Sequence, residues 1–366
     1  MTEERRRAIA LSYLPGVGPI RARKLVARGG GFVGALELAP AELAELGIPA
    51  RAIEQIADGT ALRSADRELR FVEEHGIAVI DCLDADYPRR LAEHPDAPVV
   101  LYYRGVAPLD APRTVGIVGT RKPSPAGVAF CERLVDQLRE YRVTTVSGLA
   151  YGIDIAAHKA SLAAGIPTIG VLAHGLAEIY PTAHRDTAKA MSEAGGLLTE
   201  YPSGMRSRRE FFPMRNRVIA GLCDALVVVE SASKGGSMIT ANLAVGYNTP
   251  MFAVPGRPKD PMSAGCNELI KNHRAHLLQS ADDIGYIMNW KPNDAGQPTG
   301  RANQLFQTYE PDEQRVVDAL RDGDDVDIDT LTFEVGMAGS TLAAVLLGLE
   351  FKGVVRSLPG KRYALA

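Results

Sequence analysis

Nowhere in this 366-residue chain is there an apolar run approaching the ~20 residues that a membrane helix needs, so no spanning segment and no membrane partner are expected. Cysteine is scarce. Cys82, Cys131, Cys223 and Cys266 lie far apart and form no C-x-x-C, which argues against a disulfide framework or a zinc ribbon. His273 and His276, with Cys266 upstream, are too sparse a set for a metal, and none is expected. The N-terminal MTEERRRAIA has the basic start of a signal peptide but neither a sustained apolar stretch nor a small-residue cleavage site, so a cytoplasmic location is expected. An excess of one charge is also missing. The net charge of -3 excludes a polycation that coats nucleic acid indiscriminately. No G-x-x-x-x-G-K-[ST] occurs, so the chain has no P-loop for ATP, and no cofactor is expected.

What is present is a globular composition, 46% hydrophobic and 23% charged, with enough chain for two or three compact units. Charge is unevenly spread: residues 1–65 carry a net +2 and residues 305–366 a net -5. Within the balanced middle, Arg206, Arg208, Arg209, Arg215 and Arg217 crowd together, so any anion site there is local and set by folding.

Residues 1–65 read as a small helical domain. Leu14-Pro15-Gly16-Val17-Gly18-Pro19-Ile20, followed by Arg21, Arg23 and Lys24, has a helix-hairpin-helix pattern. Its glycines would let a turn approach a phosphate closely, or merely make the turn tight. Residues 66–290 form the main domain. Strands are expected at Ile77–Ile80, Val99–Tyr103, Val115–Val118, Val143–Val146, Thr168–Leu172, Gly196–Thr199, Ala225–Val229 and Met251–Val254, with helices at 126–140, 153–164, 183–194, 216–222, 238–246 and 265–273. Such alternation specifies an α/β fold, a mostly parallel, doubly wound, Rossmann-like sheet whose ligands lie at the carboxyl ends of the strands. Residues 291–304 read as a Pro/Gly-rich linker, and residues 305–366, three helices and a hairpin, as a winged helix. The acidic charge of that last unit suits a protein contact or a structural role better than a grip on phosphates.

Four strand ends carry candidate chemistry. After the first main strand, Gly119 permits close backbone approach, Thr120 and Ser124 supply hydroxyls, and Arg121 and Lys122 supply charge: a phosphate loop in kind, although not a G-x-G-x-x-G. After the second, Gly148 and Gly152 would keep the strand end open for a ligand. Asp154 and His158, one helical turn apart, resemble an acid–base pair but have no nucleophile beside them, and a helix N-terminal Asp is usually a cap. Further on, Phe211 and Phe212 precede Arg215, Asn216 and Arg217; bases can stack on the rings while the arginines hold phosphates, unless the rings are core and the arginines form internal salt bridges. Gly235, Gly236, Ser237 and Thr240 offer further phosphate donors at a helix start.

These segments, VGTRKPSPAG, SGLAYGIDIAAHKASL, TIGVLAHGLAEIYP, TEYPSG, FFPMRNRVIAGL, GGSMITANLA and AVPG, resemble in sequence and order the bacterial DNA processing protein A (DprA, or Smf) family. The resemblance extends to both flanking domains. It implies an extended Rossmann domain that binds single-stranded DNA, pairs as a homodimer, and loads the recombinase RecA onto incoming strands in natural transformation, with single-strand-binding protein as a further partner. One departure is Met214, where another cation ahead of Arg215 would strengthen the groove. The rival reading is an enzyme, a phosphoribohydrolase-like protein that releases bases from nucleotides; here Gly235-Gly236-Ser237 runs on through Thr240, Ala241 and Asn242 without the carboxylate that such chemistry requires. A non-enzymatic role is expected.

Overall fold

The computed structural model describes residues 2–293, 310–320, 326–351, 354–358 and 362–365. They divide into two compact units, Met1–Gly296 and Gln297–Ala366.

The first unit is built on nine strands: β1 (Ala78–Asp81), β2 (Val100–Gly105), β3 (Thr114–Gly119), β4 (Thr144–Ser147), β5 (Thr168–Val171), β6 (Gly196–Thr199), β7 (Ala225–Val229), β8 (Met251–Ala253) and β9 (His276–Leu277). Their order across the sheet is β1-β2-β6-β5-β4-β3-β7-β8-β9. From β6 to β9 every pairing is parallel, while β1 and β2 join antiparallel at one edge. The central strands are apolar at successive positions because both faces are covered. Alternation sends Val115, Ile117, Val227 and Val229 to the helices Pro125–Leu138 and Ile153–Ala163. Val118, Leu226 and Val228 go to the helices Phe211–Leu222 and Gly236–Gly246. Each fully buried aliphatic side chain of this kind contributes about 1.5–3 kcal/mol of burial free energy.

Chain order reverses at β3. Strands β4 to β6 build outward on one side and β7 to β9 on the other. The carboxyl ends of β3 and β7 are neighbours with connections leaving in opposite directions, which opens a crevice between their loops.

Two expectations need correction. Residues 1–65 do not stand apart as a domain: Ile9, Leu11, Leu25 and Phe32 share one apolar cluster with Val100 and Tyr102 of β2, and the boundary at 65/66 falls inside the helix Thr60–Glu74. The helix expected at 216–222 begins at Phe211, so both rings sit in its first turn and Arg215 and Arg217 follow within it. At the glycine-rich hairpin, Gly16 takes φ +73°, Gly18 caps the helix Pro19–Gly29, Arg21 donates to the Gly16 carbonyl and Arg23 to that of Ala97. Two of its three cations are thereby tied to backbone.

The second unit contains the helices Pro311–Ala319, Ile328–Val335 and Gly339–Phe351 and a three-stranded sheet of β10 (Val326–Asp327), β11 (Val355–Leu358) and β12 (Arg362–Leu365), in the order β10-β12-β11. Val316, Leu331, Leu342, Leu346 and Leu349 form its core. Pro359 and Gly360, where the expected hairpin would turn, and residues 294–304 of the expected linker lie outside the described residues. Among the described residues, no single helix is long and apolar enough to cross a membrane.

Candidate nucleic-acid interface

A cleft of about 750 Å³ opens at the crevice between β3 and β7, lined by the loops that follow β3, β4 and β7 and by the helix Phe211–Leu222. Gly119, Thr120 and Arg121 form one wall, Gly235, Gly236, Ser237 and Thr240 another, and Phe212, Arg215 and Asn216 a third. Segments as far apart in sequence as Gly119 and Thr240 thus converge on one concavity.

Its floor is buried. Arg215, 3% exposed, donates through Nη1 to the carbonyls of Gly148 (2.6 Å) and Val171. Burial pulls its pKa down to about 10, so it remains a cation at neutral pH. Asp154 is its nearest compensating charge; burial pushes that carboxyl up while Arg215 and the Gly148 N–H, 3.2 Å away, draw it down. His158 is no acid–base partner. Its Nε2 accepts from the Leu149 N–H (3.3 Å), which leaves Nδ1 to donate to Thr168 Oγ1 (2.7 Å), and burial holds its pKa at about 3. It is a neutral core histidine.

The glycines expected to hold the second strand end open are used by the fold itself. A Cβ on Gly148 would lie 2.6 Å from the Arg215 guanidinium carbon, and one on Gly152, whose φ is +85°, would lie 2.2 Å from the Thr120 carbonyl oxygen. These positions admit the floor arginine and the first loop rather than a ligand. Arg217 is a further correction. It points away from the cleft, 6% exposed, donating to Glu200 and to the carbonyl of Asp96. One arginine of the pair is therefore floor and the other an internal ion pair.

The rim is different in kind. Arg121 is exposed, with its guanidinium carbon 5.3 Å from the centre of the Phe212 ring. Arg208 lies 5.7 Å from the Phe211 ring, which stacks on Tyr201 at 4.4 Å. Tyr180 meets Phe212 edge-on at 6.1 Å. No carboxylate pairs with Arg121, Arg208 or Arg209 among the described residues; all three are exposed, and Arg121 and Arg208 lie over aromatic rings. Arg208, Arg209 and Tyr180 line the cleft but are not among the candidate ligands named at the strand ends. The arginines had a signal in the crowded Arg206–Arg217 stretch; Tyr180, in the loop after β5, had only its place in the segment TIGVLAHGLAEIYP.

The remaining candidates divide. Lys122 is exposed but outside the lining, its N–H given to Thr120 Oγ1 at 3.1 Å. Ser124 caps the helix Pro125–Leu138, accepting from the Gly127 N–H at 3.0 Å, while its own N–H and hydroxyl go to the Glu230 carboxylate. Ser237 turns its hydroxyl onto Ser231 (2.8 Å), and Thr240 is buried in the wall. Gly235 and Gly236 start the helix Gly236–Gly246 with no side-chain cap, and a Cβ on Gly236 would touch nothing within 4 Å. That helix start is open to an anion. Met214 is exposed beside the cleft and lines none of it.

Residues 78–289 match the family described as DNA recombination-mediator protein A, and residues 298–361 match the DprA winged helix domain. The chain is 33% identical to Protein Smf of Synechocystis sp. over 97% of both chains, and 39% identical to the DNA processing protein DprA of Bacillus subtilis over 60% of this chain and 73% of that one. Among solved structures, DprA of Streptococcus pneumoniae is similar with a TM-score of 0.68 and 31% identity, over 80% of this chain and 99% of that one. DprA of Helicobacter pylori, a structure that addresses single-stranded DNA binding, is similar with a TM-score of 0.54 and 28% identity, over 59% of this chain and 97% of that one. A Rossmann-like sheet with a cation-rimmed cleft at its switch point, a winged helix later in the chain and a relative matched over nearly the whole length lead to one conclusion: the chain belongs to the DNA recombination-mediator protein A (DprA/Smf) family of DNA processing proteins.

Proposed function

We propose that the cleft binds single-stranded DNA through its backbone and bases, without reading sequence, and that the protein presents the held strand to RecA during natural transformation. The observation that carries the first half is the exposed Arg121 guanidinium over the Phe212 ring at the mouth of the cleft. An unpaired cation beside an aromatic face offers a phosphate contact and a stacking platform within one nucleotide's reach. The open helix start at Gly236 supports it from the opposite wall. Asp154 is the one carboxylate in the lining, and it is buried and hydrogen-bonded, so a base-releasing hydrolase has little to work with there.

The second half rests on the family. Backbone-directed binding tolerates any incoming strand, and the sequence carries no P-loop, so the ATP of filament growth is RecA's to use. Loading is then stoichiometric and needs a held strand and a docking surface for the recombinase. Pairing into a homodimer would place two clefts on one strand and raise avidity. Exposed Val245, Leu277, Tyr286 and Ile287 on the last elements of the sheet unit supply apolar surface for it.

The test is nucleation of cognate RecA filaments on single strands precoated by single-strand-binding protein. Added protein should shorten the lag, and Arg121→Ala should abolish the effect. Tight DNA binding with an unchanged lag would leave strand protection as the function instead.

A further inference from the structure

One carboxylate of the first unit is buried among donors from two distant parts of the chain. Glu68, on the helix Thr60–Glu74, is 2% exposed, and no cation pairs with it among the described residues. Its Oε1 accepts the Ser203 N–H at 2.7 Å, and its Oε2 accepts the hydroxyls of Ser203 at 2.7 Å and Tyr13 at 2.8 Å. A carboxylate taken out of water is costly unless such donors satisfy it, so these bonds hold their partners in place. We propose that Glu68 is a positioning residue of the cleft, through which the N-terminal helices hold the loop that presents Ser207, Arg208 and Arg209 to a bound strand. The inference rests on the reading of the cleft as a single-strand site, and it gives the helices before β1 a part in binding that needs no contact with the strand.

Residues 200–210 connect β6 to the helix Phe211–Leu222 without regular structure. The first half of this loop is fixed from two sides. Glu68 takes Ser203 on one side. On the other, the loop after β5 donates the Gly175 N–H to the Met205 carbonyl (2.8 Å) and the Ala177 N–H to that of Ser203 (3.3 Å). The approach is so close that a Cβ on Gly175 would lie 2.0 Å from the Pro202 carbonyl oxygen. Leu176 and Ile179 of the same β5 loop pack into the apolar cluster of Ile9, Leu11 and Phe32, so both loops are seated on the N-terminal helices.

Beyond Met205 little holds the loop. Among the described residues, the side chains of Arg206, Ser207, Arg208 and Arg209 make no hydrogen bond, and the chain is next fastened where the Phe211 N–H donates to the Arg208 carbonyl at 3.1 Å and the Phe211 ring stacks on Tyr201. Ser207, Arg208 and Arg209 line the cleft from this span, so their approach to a ligand is set by the Glu68 contact a few residues before them. A loop released from that contact must be ordered when a strand binds, and the ordering is subtracted from the affinity.

The experiment uses the full chain, with dT oligonucleotide affinity at low salt and a urea midpoint measured for each variant. Glu68→Ala should weaken binding about tenfold. Ser203→Ala and Tyr13→Phe each remove one hydroxyl donor from the same carboxylate oxygen, so both should lower the urea midpoint. Only Ser203→Ala loosens the loop and should weaken binding; Tyr13→Phe should stay within about twofold of the wild type. In a protein already carrying Arg208→Ala and Arg209→Ala, the loss from Glu68→Ala should vanish, whereas it should add to the loss from Arg121→Ala on another wall of the cleft. A folded Glu68→Ala protein that binds like the wild type, a Tyr13→Phe affinity equal to that of Ser203→Ala, or a Glu68→Ala loss that persists without the two arginines would overturn the proposal. Should Glu68→Ala fail to fold, the comparison of Ser203→Ala with Tyr13→Phe decides it. A wild type that binds no dT oligonucleotide at low salt would instead overturn the single-strand reading beneath it.

Discussion

The floor and the rim of the cleft use the same residue type for opposite ends. On the floor, Arg215 spends its guanidinium on the carbonyls of Gly148 and Val171, and behind it Arg217 is sealed against Glu200. On the rim, Arg121 and Arg208 have no carboxylate partner among the described residues and lie over phenylalanine rings in contact with solvent. Buried and paired, an arginine fixes strand ends in place; exposed and unpaired, it is available to a ligand. The floor should therefore answer to stability measurements and the rim to binding measurements.

Arg217→Ala should break this pattern most severely on the floor side. It leaves Glu200 buried, with its charge uncompensated and one oxygen already without a partner, and burial alone pushes that carboxyl up. Removing one member of such a pair costs about 3–5 kcal/mol, to be read as a shift in the urea midpoint at constant slope. If the midpoint stays put, Arg217 is not the internal anchor that its geometry indicates.

His158 sharpens the comparison through pH. Its folded pKa of about 3 lies below the ordinary 6.5, so between those values the unfolded chain binds more protons than the folded one. The stability it contributes is complete above pH 6.5 and falls as pH drops toward 3, by up to about 1.4 kcal/mol per unit. A His158→Gln protein should show a flatter fall in urea stability over that window. Equal slopes for both proteins would mean that the histidine is not held neutral.

The sheet was legible in the sequence because continuous apolar strands and crossover helices leave a strong pattern, and Val115–Val118 and Ala225–Val229 fall within β3 and β7. The loops at the strand ends were legible as a group for the same reason. What each side chain does inside them was not. Arg215 and Arg217 are two residues apart on one helix, and nothing local decides that one turns to the β4 end and the other to Glu200. Gly148 reads as an opening until the guanidinium that fills it is in view. Ser124 reads as a phosphate ligand until a carboxylate 106 residues away is found on it. The apparent boundary at residue 65 failed because packing of Ile9 and Phe32 against β2 leaves no trace in local composition.

On the rim, Arg121→Ala should lower dT oligonucleotide affinity about tenfold, a loss of roughly 1.4 kcal/mol, and reduce the slope of log affinity against log salt by about 0.7, the share of one phosphate contact to a single strand. Phe212→Ala should cost a similar amount, about 1–3 kcal/mol for a lost stacking platform, while leaving the salt slope unchanged. The two variants separate charge from stacking at neighbouring positions. A slope that moves with Phe212 but not with Arg121 would reverse the assignments.

The smallest effect is expected from the unit that contributes nothing to the cleft. Residues 305–366 carry a net -5, and the third helix of the winged unit, Gly339–Phe351, has no basic residue to grasp a phosphate. Its core is its own, and it exposes Phe333 and Leu347, large apolar side chains better suited to a protein surface than to a duplex. Every cleft-lining residue belongs to the first unit. Removing 305–366 should therefore leave dT affinity within about twofold and the salt slope unchanged, since no neutralised phosphate is lost. The measurement is the same salt titration on the truncated protein, with circular dichroism to show that it is folded. A large loss of affinity in a folded truncation would place part of the strand on the winged helix and make its acidic surface, rather than the arginine rim, the feature in need of a new account.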